Sequence, residues 1–166
     1  MSGVVSNDAF KGFMSNFASS VTVVTTVDAN GSPWGLTVSA FSSLSMDPPL
    51  CLFCIDHRAG SIEAFRESRK FAVNILSDQQ EELSNHFASR REDKFVDIEW
   101  ANGPVLGCPV FNDVLAWAEC DVTEVFPGGD HDIVVGKLLK VSTGEGKPLL
   151  YFSGAYGDLT SRPKSW

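Results

Sequence analysis

Hydrophobic positions along the chain change their spacing, and each change predicts a change of element. Near the start, Phe10, Phe13, Met14 and Phe17 recur at i, i+3, i+4 and i+7, the signature of one helix face, with Ser6 or Asn7 placed to cap it. Such a stripe serves either this chain's own core or a partner, and core packing is the expectation here. After Ser20 the pattern becomes β-branched. Val21-Thr-Val-Val-Thr-Thr-Val27 predicts a strand ended by the turn residues Asp28-Ala-Asn-Gly31. Trp34 to Met46 predicts a second extended run that pairs back as a hairpin. Pro48-Pro49 interrupts it; Leu50 to Ile55 reads as a buried strand, Ser61 to Arg69 as a short helix and Phe71 to Leu76 as another strand. Ser77-x-x-Gln80 resembles a capping box and predicts a helix to about Ala88. Ser89 to Gly107 is polar and irregular, as a surface loop would be. Beyond it, Ala116, Ala118, Cys120 and Val122 alternate with Trp117, Glu119, Asp121 and Thr123, a period of two. Ile133 to Val141 and Leu149 to Phe152 complete the strands, with the turn Thr143-Gly-Glu-Gly146 between them.

Strands joined mostly by turns, with helices at the start and in the middle, predict a mainly β antiparallel barrel with peripheral helices rather than a βαβ fold. No repeat or linker divides the 166 residues, so one domain over residues 1–166 is expected, long enough to bury its own core. Charge then narrows the partners. Lys plus Arg number 13 against 21 Asp plus Glu, a formal charge of −8, which argues against nucleic acid or an anionic membrane as the partner. An anionic ligand would have to meet local cations or backbone N–H groups. Met1 to Lys11 lacks the basic stretch and apolar run of a signal peptide, and no segment approaches the roughly 18 apolar residues of a membrane span. With only Cys51, Cys54, Cys108 and Cys120, a cytoplasmic protein with reduced thiols is expected.

Five stretches are candidates for chemistry. Along Leu36 to Met46 one face is apolar, and the other carries Thr37, Ser39, Ser43 and Ser45, broken by Phe41. Those hydroxyls suit phosphate or ribityl-type oxygens, or simply an exposed face; Thr37 to Ser45 spans roughly 26 Å, too far for one phosphate to meet them all. Asp56-His-Arg-Ala-Gly-Ser61 precedes a predicted helix, where Arg58 and free N–H groups could hold an anion, or Ser61 could serve as a plain cap. Arg90-Arg-Glu-Asp-Lys-Phe95 could reach a phosphate or form a solvated, self-paired loop. Cys51 and Cys54 match C-x-x-C, but residues three apart on a strand face opposite sides, so core thiols are expected and no metal. Pro127-Gly-Gly-Asp-His131 offers either a loop histidine able to donate to a carbonyl or move a proton, or an ordinary turn. No G-x-S-x-G, P-loop or G-x-G-x-x-G pattern is present.

In this order the pieces resemble the short-chain flavin reductase family, with its FMN-binding split β-barrel of six antiparallel strands. The likeness runs from about Phe10 to Leu159 and rests on Val21-Thr-Val-Val-Thr-Thr, Gly35-Leu-Thr-Val-Ser-Ala-Phe-Ser-Ser-Leu-Ser-Met-Asp-Pro-Pro-Leu, Phe71-Ala-Val-Asn-Ile-Leu, Asp93-Lys-Phe95, Gly129-Asp-His131 and Pro148-Leu-Leu-Tyr-Phe. The resemblance implies an NAD(P)H:flavin oxidoreductase, a homodimer that passes a hydride from NADH or NADPH to FMN or FAD and supplies reduced flavin to a separate monooxygenase of aromatic compounds. It implies that Thr37, Val38, Ser39, Ala40, Ser43 and Ser45 line the flavin, with Cys54, Asp56 and Trp34 by its ring or ribityl chain. Ser61, Arg91 and Lys94, beside Phe95, would meet the phosphate end; His131 would lie by the nicotinamide and Tyr156 would close that side. Arg58, Arg90 and Arg162 are candidates for the 2′-phosphate of NADPH. Two other expectations remain open: a split-barrel reductase of another acceptor, such as a cobalt corrinoid or ferric complex, and a flavin-binding module without catalysis.

Overall fold

The structure, a computed structural model, describes residues 3–91, 93–157 and 159. The first predicted helix forms as α1 (Asn7–Met14), capped by the Ser6 hydroxyl, which accepts from Ala9 N–H at 3.2 Å. Its destination differs from the expectation. No residue of α1 is buried, and Phe10, Phe13 and Phe17 are 56%, 76% and 68% exposed, because other helices cover the barrel core in this chain.

β1 (Ser19–Ser20) leads into β2 (Thr22–Val27), which is buried on both faces. Val24 points into the barrel with Phe53 and Phe71, whereas Val23 points outward to Leu76, Phe87 and Phe111. The Asp28 carboxylate ends the strand by accepting from Asn30 and Ser32 N–H at 2.8 and 2.9 Å.

The Trp34–Met46 run is two strands rather than one. β3 (Pro33–Val38) pairs with β2 as expected, but the chain bends at the exposed Ser39-Ala40, and β4 (Phe41–Met46) pairs with β5 (Pro49–Asp56). There follow α2 (Ile62–Ser68), β6 (Lys70–Ile75), α3 (Glu81–Ala88), β7 (Trp100–Asn102), β8 (Pro109–Phe111), the long pair β9 (Ala116–Gly128) and β10 (His131–Thr143), and the short β11 (Leu150–Phe152) and β12 (Ala155–Gly157). The hairpin β7–β8 begins inside the expected loop, since three-residue strands are too short to show a period.

The main sheet is antiparallel with seven strands in the order β3-β2-β6-β9-β10-β5-β4. Its two edge strands, β3 and β4, are neighbours in the chain, so the sheet curls until its edges meet. The fold is therefore mainly β, a split barrel whose seventh strand arises from the Ser39–Ala40 bend. α2 fills the barrel interior with Ile62 and Phe65, and the Phe53 ring lies 5.5 Å from Phe65 and 5.0 Å from Phe71, edge to face. α3 lies on the outer face, where Phe87 is fully buried. Half of the expected capping box forms: Gln80 Oε1 accepts from Ser77 N–H at 2.9 Å, and the helix starts at Glu81. Cys51 is buried and Cys54 half-buried, on alternate faces of β5. No helix among the described residues is long and apolar enough to cross a membrane.

Candidate functional site

Three stretches far apart in sequence converge on one cleft of about 580 Å³, a size suited to a small molecule. β3 supplies Trp34, Gly35, Leu36 and Thr37; the β5–α2 turn supplies Asp56, Arg58, Ala59, Gly60 and Ser61; the end of α3 and the loop after it supply Phe87 to Arg91 and Lys94. The wall is close-packed where β3 meets α3. A Cβ on Gly35 would stand 2.9 Å from the Phe87 ring, so only glycine lets the two elements approach this far. Thr37 Oγ1 donates to Ser84 O at 2.6 Å, and Lys94 Nζ donates to Phe87 O at 2.8 Å and Gly35 O at 3.4 Å. Lys94 is half-buried, and that burial pulls its ammonium pKa down.

The lining carries Arg58, Arg90, Arg91 and Lys94 against the single carboxylate of Asp56, in a chain of net charge −8. A cleft of that sign concentrates anions against the field of the whole molecule. Two of its guanidiniums are occupied by carboxylates two residues away. Arg58 grips Asp56 through Nε at 3.1 Å and Nη2 at 2.7 Å, holding that carboxyl far below the usual carboxylate range. Arg91 grips Asp93 through Nε and Nη2, both at 2.8 Å. Exposed pairs of this kind are weak, so either fork is free to exchange its carboxylate for phosphate oxygens. Ser61 is buried and makes no side-chain capping bond to α2, so the plain-cap reading does not hold.

Of the expected site residues, Trp34, Thr37, Asp56, Ser61, Arg91 and Lys94 line this cleft. His131 stands at its rim as the cross-strand partner of Asp56, half-exposed, with Nδ1 2.7 Å from Asp130 Oδ1. Ser39 and Ala40 form the bend after β3, and Ser43 and Ser45 lie on β4. Cys54 donates its N–H to Ala40 O at 3.0 Å, and desolvation pushes its thiol up. These five continue along the β4–β5 hairpin instead of lining the cleft. Val38 is buried in the barrel core, and Phe95 packs against Phe87 and Trp100 with ring centroids at 5.0 and 5.8 Å. Tyr156 fastens β12 to α3, its hydroxyl 2.8 Å from Ser84 Oγ and donating to Asn85 Oδ1 at 2.9 Å. It lies outside the cleft lining. Arg162, and Glu92 of the charged run, lie outside the described residues.

The sequence offered Arg58 as an anion-holding cation and Arg90 as either a phosphate contact or a solvated loop residue, without placing them together; both line the cleft. Sequence reasoning passed over Asp132, which is buried on β10. Asp132 Oδ1 lies 2.8 Å from His57 Nε2, and Oδ2 accepts from Arg66 Nε at 2.9 Å and Nη2 at 2.8 Å. The bond to His57, with help from Arg66, outweighs burial and keeps the carboxyl below its ordinary value of 3.8. A carboxylate held ionised in this way stabilises the fold above that value, and the contribution is lost as pH falls through the lower folded pKa. The signal was available: Asp132 shares its strand face with the buried Val134 and Gly136.

Comparison with known proteins gives a consistent picture. The chain matches the flavin reductase like domain over residues 14–160. It is 41% identical over 140 residues to a protein of Rhizobium meliloti named probable flavin reductase, covering 84% of this chain and spanning 45% of that one, about half its length. It is 40% identical over 157 residues to the flavin reductase (NADH) of Kitasatospora aureofaciens, covering 93% of this chain and 82% of the other. Among solved structures, nitrilotriacetate monooxygenase component B from Mycobacterium thermoresistibile superposes with a TM-score of 0.88 at 37% identity, over 96% of this chain and 91% of that one.

Proposed function

The chain belongs to the flavin reductase-like domain family, and on that premise we propose that it transfers a hydride from NADH or NADPH to FMN or FAD. The cationic cleft carries the reading. Its basic side chains and hydroxyls suit a ligand with an anionic tail, and Trp34, Leu36 and Phe87 beside them suit a flat apolar ring. Bound flavin supplies the acceptor and the nicotinamide supplies the hydride, which is why the chain needs no paired carboxylates or nucleophile of its own. Its residues hold and orient. Arg91, Lys94, Ser61 and Arg58 take the phosphate end; Thr37, Asp56 and the row Ser39, Ala40, Ser43, Ser45 and Cys54 follow the tail and ring edge. His131, at the rim, meets the nicotinamide. Tyr156 and Phe95 act indirectly by fixing α3 and the wall it forms.

In this reading a second copy of the chain covers the exposed α1 stripe, making a homodimer. The reduced flavin passes to a separate monooxygenase; the similar protein of Mycobacterium thermoresistibile is named as component B of a monooxygenase. The protein works in the cytoplasm. The test is to purify it, record its visible spectrum, and follow NADH and NADPH consumption with FMN and with FAD. Oxidation that rises steeply with one flavin is expected. Oxidation indifferent to both flavins would leave a flavin-holding module and overturn the reading.

A further inference from the structure

Asp132 takes no part in the cleft lining, yet three charged hydrogen bonds converge on its buried carboxylate from two other elements. One partner, Arg66, belongs to α2 and also holds Glu63 at 2.9 Å. The other, His57, sits in the β5–α2 turn between Asp56 and Arg58, both of which line the cleft. The β5–β10 ladder ends at the pair Asp56–His131, so residues 57–61 lie beyond the reach of sheet pairing. Two bonds tie the turn back to β10 and the residue before it: His57 N–H to Asp130 O at 3.0 Å, and His57 Nε2 to Asp132. Asp132 is thus the buried side chain that anchors the segment running to Ser61. Consecutive side chains on a strand face opposite ways, so His131 and Asp132 hold the two sides of one position on β10.

We propose that Asp132 is a positioning residue that acts through His57: it sets the conformation of the turn 56–61 and so the grip of the cleft on the flavin tail. The proposal rests on the function given above. Losing one charged hydrogen bond of this geometry should weaken flavin binding about tenfold. Asp132→Asn keeps the shape of the side chain and removes its charge. The dissociation constant of FMN, or of FAD if that is the flavin used, is read by quenching of flavin fluorescence, beside steady-state KM and kcat. The flavin dissociation constant and flavin KM should rise together, with KM for the nicotinamide unmoved and turnover at saturating flavin falling far less. His57→Gln, which retains one hydrogen bond from a neutral donor to Asp132, should show the same pattern at about threefold.

A purely structural role predicts something else: a lower melting temperature and fewer active molecules, with flavin affinity and KM unchanged. That result overturns the proposal, as does a rise confined to the nicotinamide KM. Should Asp132→Asn fail to fold, His57→Gln decides alone, and unchanged flavin affinity in it overturns the proposal. Wild-type protein that binds neither flavin would sink the reading of function and this inference together. Wild-type binding with unchanged variants would sink only the inference.

Discussion

Lys94 and Phe95 are adjacent in the chain and part company in space. Lys94 reaches back to Phe87 O and Gly35 O on the cleft wall, while Phe95 enters the aromatic cluster with Phe87, Trp100 and Phe111. Thr37 and Val38 divide in the same way, one into the cleft and one into the barrel core. His131 is the residue that the proposed function sets against the nicotinamide; it pairs across strands with Asp56 and belongs to no packed cluster. Replacing it by alanine should slow flavin reduction by roughly a hundredfold, the low end of a positioned proton-transfer group's contribution. Flavin affinity should change by less than about twofold. Stopped-flow reduction beside a flavin titration separates the two, and a collapse of affinity with normal turnover of the residual complex would remove the nicotinamide role. Sequence motifs named Thr37, Asp56, Ser61, Arg91 and Lys94, because hydroxyls and charges stand out where they occur. They did not reveal Arg58 or Arg90 as part of the same wall, since only the fold decides which of several arginines face inward.

Among the elements, β10 is held in close packing at Gly136. Gly136 lies buried between β5 and β9, paired with Cys51 on one side and Val122 on the other, next to a register shift. Cys51 Sγ and Cys120 Sγ approach to 3.8 Å. A Cβ on Gly136 would fall 2.4 Å from two Phe71 ring carbons and 2.9 Å from Cys120 Cβ, in a region where neither neighbour has room to yield. Gly136→Ala should therefore destabilise the fold by about 2 kcal/mol through overpacking, measured as a lower denaturant midpoint with unchanged slope. An unchanged midpoint would mean that β10 moves as a unit. Most strands were legible, β2 from its β-branched run, β5 and β6 from their apolar runs, and β9 from the alternation that puts Ala118, Cys120 and Val122 on one face. The corner between β3 and β4 was not, because Ser39 and Ala40 keep the run looking extended and contain no glycine or proline to mark a break.

For the molecule as a whole, α1 is the helix whose apolar face the single chain leaves uncovered. Its helical period was plain in the sequence, but periodicity says only that a face is covered, not by whom; Phe13 is 76% exposed in the single chain. Phe13→Asp should convert a dimer into a monomer in sedimentation equilibrium. The unfolding free energy from denaturant titration at low protein concentration should change by less than about 0.5 kcal/mol, since the substitution touches no buried contact of the chain. A wild type that sediments as a monomer would refute the homodimer. The corner at Ser39–Ala40 bears on how the polypeptide reaches this shape. The ribbons flanking it, β2–β3 and β4–β5, each close over a short turn, whereas the seam joining Asp56 to His131 closes a loop that holds α2, β6, α3, β7, β8 and β9. Loop-closure entropy favours the ribbons as the early, local events, so the cleft's turn and His131 are expected to come together later than either ribbon.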